Sequence, residues 1–270
     1  MKTLGRLISF VYFCYICVWF VILILLAFPI TLVLLLLPPS IRDLGMLRML
    51  QAISYLWFWL CGIWPRTYNR SKIDFSNAYI ITPNHQSYID AGIIYICIPG
   101  LFKTVGKVEI GKTPIYGLIY KTVVITVDRQ TTGARASSFR RMKQELDKGC
   151  SIAIFPEGTF PDEIQSELLP FHAGGFALAM QEQKPILPVL FLDAAQRMHP
   201  KKIMQFTPGL CRCVYLPPIV WPIFDKQQVE GMKQYVHKYM QACLDEARTH
   251  GVSHLWDYAM QWLQQNPIPA

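Results

Sequence analysis

The sequence is short of charge, and short of the patterns that charge usually forms. Only 16% of its 270 residues are charged, and no run of five or more Lys or Arg occurs. With no nucleic-acid motif either, the net charge of +8 does not read as a nucleic-acid footprint. A basic, apolar chain suits an anionic membrane surface or a phosphorylated ligand instead. No internal repeat and no low-complexity linker divides the chain, which excludes repeat arrays and tethered modules. The eight Cys lack finger-like spacing. Cys211 and Cys213 share one side of an expected strand, but no second Cys/His pair completes a metal set. Packed, reduced thiols and no metal are therefore expected. His199, His237, His250 and His254 make no ligand spacing or nucleophile pair, and are expected on the surface or in packing. Ser87 and Ser151 lack the turn context of a nucleophile elbow, which argues against a serine hydrolase.

Apolar length is what the chain has in excess, at 52% hydrophobic residues. Residues 7–37 contain no charge. The stretch is too long for a signal-peptide core, and no small-x-small cleavage site follows, so it is expected to stay as a membrane segment. As a straight helix it would run about 45 Å against a hydrocarbon core of ~30 Å. A tilted span, or a segment kinked at Pro29 that dips in and returns, would fit. Lys2 and Arg6 precede it while Arg42 and Arg48 follow. Charge on both sides leaves orientation open and favours the re-entrant arrangement. Pro38 and Pro39 end the element. Residues 41–64 then predict an amphipathic helix with an aromatic end, Tyr55, Trp57, Trp59 and Trp64. Such an end suits either a membrane–water interface or packing on the following domain. The expected division is a membrane-embedded helical segment, 1–65, and an α/β domain, 66–270.

From about residue 70, short apolar runs alternate with helical stretches. Strands are predicted at 78–82, 102–105, 123–127, 151–155, 186–192 and 211–216, and helices at 88–97, 113–120, 133–148, 174–181 and 227–249. The alternation predicts an α/β fold, a mixed but mostly parallel sheet flanked by helices.

Two motifs carry chemistry. Asn84-His85-Gln86-Ser87-Tyr88-Ile89-Asp90 follows a predicted strand and opens a predicted helix. That junction lies at the sheet edge where α/β folds bind ligands. Asp90, five residues on, can reach back to fix the imidazole tautomer, and the His can then serve as a general base at neutral pH. Taken alone, the pattern equally fits a surface His beside a helix N-terminal carboxylate. Ile154-Phe155-Pro156-Glu157-Gly158-Thr159 follows another predicted strand. Its Pro and Gly force a turn whose backbone N–H groups can meet an oxyanion, and Glu157 can hold an acceptor hydroxyl. Alone, it is equally an ordinary turn.

In this order, 72 residues apart from His85 to Glu157, the two motifs resemble those of the glycerolipid acyltransferase family that contains the 1-acylglycerol-3-phosphate O-acyltransferases. The stretch Gly106-Lys107 to Gly117 looks like that family's basic segment. Val127-Asp128-Arg129 looks like its strand-ending Asp-Arg pair, and Ile186-Leu187-Pro188-Val189 like its late strand motif. The likeness covers roughly residues 75–195. It implies an acyltransferase in which His85 deprotonates an acceptor hydroxyl and Asp90 orients it. Glu157 and Gly158 complete the catalytic set. Asn84, Lys107, Arg129 and Thr159 are implied in substrate binding, with the Arg129 fork on an anionic head group. Acyl-coenzyme A or acyl carrier protein would be the co-substrate, with no further cofactor. Membrane lipid would be the other partner. The implied location is a membrane, that of a bacterial inner membrane, with the domain facing the cytoplasm.

Two positions depart from the family pattern. Phe160 stands where the family usually has Arg, and His172 where it often has Lys. Loss of two cations makes a less charged acceptor, such as a lyso-aminolipid, an alternative to 1-acyl-glycerol-3-phosphate. A non-catalytic lipid-binding protein is the other alternative. A phosphate-binding loop at Gly106–Thr113 is set aside. Its intervening Lys-Val-Glu-Ile includes an anion that would repel phosphate and two β-branched residues that resist a left-handed nest.

Overall fold

The computed structural model describes residues 2–127, 132–165, 167–222 and 226–268. It begins with a helical pair. Helix α1 (Lys2–Leu35) runs without interruption through Pro29, and α2 (Pro39–Leu60) starts with Pro39 in its first turn, where the missing N–H costs nothing. The segment does not fold back on itself, as one expectation had it; α2 makes the return. Trp57 Nε1 donates to the Ile16 carbonyl at 3.1 Å, and the Tyr12 hydroxyl donates to the Cys61 carbonyl. Leu7–Leu35 is long and apolar enough to cross a membrane, and much of its surface, Leu7, Val11, Val18, Leu25 and Val33 among it, is exposed.

The chain continues through strand β1 (Ile63–Tyr68), β2 (Ile80–Pro83), helix α3 (Asp90–Cys97), β3 (Phe102–Lys107), α4 (Tyr116–Val123), β4 (Val124–Val127) and α5 (Thr132–Asp147). Then come β5 (Ser151–Ala153), α6 (Gly174–Gln181), β6 (Ile186–Phe191), the short α7 (Ala194–Arg197), β7 (Gly209–Tyr215), α8 (Val229–His250) and α9 (Leu255–Gln265). The described strands form one seven-stranded sheet in the order β1-β7-β6-β2-β5-β3-β4. Neighbours are parallel except β6 and β7.

The central strand β6 is apolar throughout because both its faces are covered; all six of its residues are buried. Alternate residues feed two cores. Ile81, Leu187, Val189 and Phe191 face the side closed by α2, α3 and α4. Ile80, Ile152, Ile186 and Leu190 face the side closed by α5, α6 and α8. The parallel strands β2, β5, β3, β4 and β6 therefore share one carboxyl edge, and the segments after β2, β5 and β6 meet there.

Three elements differ from expectation, one of them the one-turn α7, which was not predicted. Residues 63–64 were predicted as the end of a helix, but the helix stops at Leu60 and Ile63–Tyr68 pairs with β7. Pro65 is tolerated because β1 is an edge strand. The expected division at 65/66 falls inside this strand. Helix α9 was not predicted; its apolar side packs on α8 through Leu255 and Ala259.

The glycines in and just after the rejected phosphate loop serve packing. Gly106 lies in β3, where a Cβ would sit 2.0 Å from the Tyr120 hydroxyl. Gly117 lets α4 approach the Gly111 carbonyl, which would be 2.5 Å from a Cβ.

Candidate active site

The segment after β2 holds the first motif. Asn84, the first residue beyond the strand, is fully buried. Its Nδ2 donates to the Phe191 carbonyl at 3.0 Å, and its Oδ1 accepts the Phe191 N–H at 2.6 Å. Both ends of the amide are thus engaged by β6. Asn84 thereby clamps the loop to the neighbouring strand.

His85 follows, and Asp90 opens α3. The His85 Nδ1 lies 2.9 Å from Asp90 Oδ2. The same oxygen accepts the backbone N–H of Gln86 at 2.6 Å and of Ser87 at 2.8 Å. A carboxylate at a helix N-terminus, taking two N–H bonds, is a favoured and fixed acceptor. It sets the neutral imidazole with its proton on Nδ1, so Nε2 carries the lone pair. The imidazole stacks on Phe155, with ring centroids 4.2 Å apart, and meets Phe160 edge-on at 4.9 Å. Phe160 in turn meets Tyr88 at 4.5 Å.

The second motif follows β5 and arrives against the first. Glu157 is buried, and its carboxylate is shared by two backbone donors. Oε1 accepts the His85 N–H at 2.7 Å, and Oε2 accepts the Leu169 N–H at 2.9 Å. Burial pushes its pKa up to about 7, against the pull of those two donors and with Asp90 adding to the rise. The carboxylate thus ties the His85 loop to the 157–169 segment. Gly158 takes a left-handed φ of 66°, and its N–H donates to the Phe155 carbonyl at 3.1 Å. It shapes the turn, and that N–H is already engaged rather than aimed at an oxyanion.

Thr159 is exposed at the turn. Lys107 is exposed at the carboxyl end of β3, on the same sheet edge as His85. Arg129, two positions beyond β4, lies outside the described residues, as does Asp128. His172 is exposed, and its N–H donates to the Pro156 carbonyl at 2.7 Å.

Sequence reasoning missed the β6–β7 connection. Ser87 Oγ donates to the Met198 carbonyl at 2.7 Å, and Ala195 lines the crevice beside His85. Asp193 grips Arg212 with both oxygens, at 2.7 and 2.8 Å, and anchors that connection. No local motif marks these residues; the strand order alone brings them in.

A family model described as acyltransferase matches residues 65–192. The 1-acyl-sn-glycerol-3-phosphate acyltransferase alpha of Homo sapiens is 30% identical over 236 residues, 86% of this chain and 80% of the relative. The 1-acyl-sn-glycerol-3-phosphate acyltransferase of Helicobacter pylori is 28% identical over 170 residues, covering 61% of this chain and 71% of its own length. Among solved structures, the 1-acyl-sn-glycerophosphate acyltransferase of Thermotoga maritima shares the fold. Its TM-score is 0.74 at 19% identity, over 93% of this chain and 99% of that one.

Proposed function

The chain belongs to the acyltransferase family of the 1-acyl-sn-glycerol-3-phosphate acyltransferases, and from that premise we propose that it acylates the free hydroxyl of 1-acyl-glycerol-3-phosphate, with His85 as general base. The observation that carries this reading is the 2.9 Å contact between His85 Nδ1 and Asp90 Oδ2, which leaves Nε2 as the basic nitrogen. In this scheme Nε2 takes the proton of the acceptor hydroxyl. The oxygen attacks the thioester carbonyl carbon, and the imidazolium that forms is stabilised by Asp90. The tetrahedral intermediate collapses with cleavage of the carbon–sulfur bond, and the leaving thiolate takes the proton back from His85. The donor is a fatty acyl thioester of coenzyme A or of acyl carrier protein. Lys107 and Arg129, at or just beyond the ends of β3 and β4, supply the cations for an anionic head group. The exposed apolar surface of α1 supports a membrane-bound enzyme drawing its acceptor from lipid. A bacterial inner membrane with the α/β domain on the cytoplasmic side remains part of this proposal, and the eight free thiols agree with a reducing side.

A second reading is favoured by Phe160. Its ring stands edge-on to His85, where the family pattern has a cation, which suits a lysolipid with less negative charge at that point. The test uses purified protein in nanodiscs with one labelled acyl thioester and a panel of lysolipids, wild type beside His85→Ala. Preferred acylation of 1-acyl-glycerol-3-phosphate by wild type alone supports the first reading. Preference for a lyso-aminolipid moves the acceptor to the second. Transfer retained in His85→Ala would refute the general base, and no transfer from wild type would leave a lipid-binding protein.

A further inference from the structure

On one side of His85 the site is shut. The crevice lined by His85, Glu157, Pro161, Ile164, Gln165 and Ala195 has room of only ≈ 10 Å³, that of about one water. The cover is the strap of residues 160–165. Its acidic residues are tied to the turn between β6 and β7. Asp162 pairs with Lys201 at 2.8 Å, and Glu163 with His199 at 3.2 Å and Lys202 at 3.9 Å. The four lysine and carboxylate side chains of these pairs are more than half exposed. Exposed ion pairs contribute little, so the acidic side of the strap is weakly held, while its ends are fixed by Phe160 against His85 and Tyr88 and by the Gln165 carbonyl, which accepts from Arg248 at 3.1 Å.

The turn at the other end of these pairs is braced from within. His199 is buried, and its Nδ1 accepts the backbone N–H of Lys201 and Lys202, both at 3.2 Å. The folded tip presents Ile203 and Met204, 42% and 52% exposed, beside the two lysines. Phe206 then seats the turn on the helical pair, with ring centroids 6.0 Å from both Tyr12 and Trp57. Around this level α1, α2 and β1 expose Tyr15, Tyr55, Trp59 and Trp64. Aromatic side chains so clustered at one end of an apolar helix mark the depth of the membrane–water interface.

We propose that the 199–206 turn is a second membrane-contact element, seating Ile203 and Met204 in an anionic lipid surface, and that lipid contact by Lys201 and Lys202 releases the strap over His85. The proposal rests on the acyltransfer reading for what the release is for. The physical argument is competition. A Lys near an anionic bilayer gains about as much as an exposed ion pair to Asp162 or Glu163 supplies. The two apolar side chains add burial that only lipid offers. Continuity with the exposed apolar surface of α1, and the net positive tip, favour lipid over an acidic protein as occupant.

Hydrogen exchange of full-length protein in nanodiscs tests the contact without relying on activity. Residues 199–206 should be protected in anionic nanodiscs relative to zwitterionic ones. Equal exchange in both, or protection only on adding acidic carrier protein, would overturn the proposal. Kinetics test the coupling. An Ile203→Ser/Met204→Ser variant should lose about tenfold in rate on a long-chain acceptor in anionic vesicles. Its rate on a short-chain, monomeric acceptor should stay within about twofold of wild type. An unchanged vesicle rate, or equal loss on both acceptors, counts against it. Asp162→Asn/Glu163→Gln should raise the rate on zwitterionic vesicles to that on anionic ones; an unaltered dependence on lipid charge would sink the release step. If wild type transfers no acyl group at all, the acyltransfer reading fails while the exchange result still decides the lipid contact.

Discussion

Glu157 reaches across from the loop after β5 and accepts the backbone N–H of His85, 2.7 Å away. Residues 72 positions apart are thereby joined side chain to main chain, and the second oxygen of the same carboxylate holds Leu169. The acid of one motif fixes the histidine of the other in place.

This arrangement has a cost that depends on pH. Burial raises the Glu157 carboxyl from its ordinary 4.5 to about 7. Between those values the folded protein keeps a proton that the unfolded chain has released, so stability falls as pH rises through this window. At about 1.4 kcal/mol per unit, the fall is of order 3 kcal/mol by pH 8. Urea unfolding of the α/β domain in the detergent-solubilised protein at pH 5 and pH 8 should show it. Glu157→Gln should flatten the slope; an identical slope in that variant would assign it to another group.

Asp90→Asn should leave the fold nearly intact and reduce turnover by about 10³–10⁴-fold, because the amide no longer stabilises an imidazolium. Combined with His85→Ala it should add little, since the two act as one unit. Steady-state acyl transfer with a labelled thioester measures both. Losses that multiply in the double variant would separate their roles.

Asn84→Ala should behave as a stability variant. It strands the N–H and C=O of Phe191 in the core, which costs about 2–4 kcal/mol. Thermal melting should fall, while the acceptor KM of the folded fraction should change little. A large rise in KM at unchanged melting temperature would restore a binding role.

Gly117→Ala should destabilise by about 3 kcal/mol or more, because the new Cβ meets a main-chain carbonyl that cannot swing away. Gly231→Ala, where nothing lies within 4 Å, is the control and should be neutral or up to about 1 kcal/mol stabilising. Parallel denaturant curves compare them.

Phe160→Arg places a cation beside His85. If the aromatic edge there selects the acceptor, the variant should shift the kcat/KM ratio toward 1-acyl-glycerol-3-phosphate over an uncharged or amine-bearing lysolipid by about tenfold, one charge-assisted hydrogen bond. An unmoved ratio would show that head-group choice is made elsewhere.

Much of the fold was legible locally. The strands β2 to β7 were found from short apolar runs, because strands covered on both faces are mostly apolar, and α6 from its helical pattern. Strand β1 was hidden because Ile63 and Trp64 continue the aromatic composition of α2, and period alone does not separate a helix end from an edge strand. Helix α9 begins four residues after Gly251, close behind a helix already 22 residues long, and its apolar side is explained only by α8 beneath it.

At the site, the sequence by itself determined the chemical types and their order. His85 and Asp90 are five residues apart, so a helix start was enough to bring imidazole and carboxylate together. Tertiary structure decided what Asn84, Glu157 and the β6–β7 turn do. Each acts through a group more than 70 residues away: Asn84 on Phe191, Glu157 on His85, and Met198 on Ser87. Buried backbone N–H and C=O groups must find partners, and which polar side chain serves them depends on strand order, which no local pattern encodes.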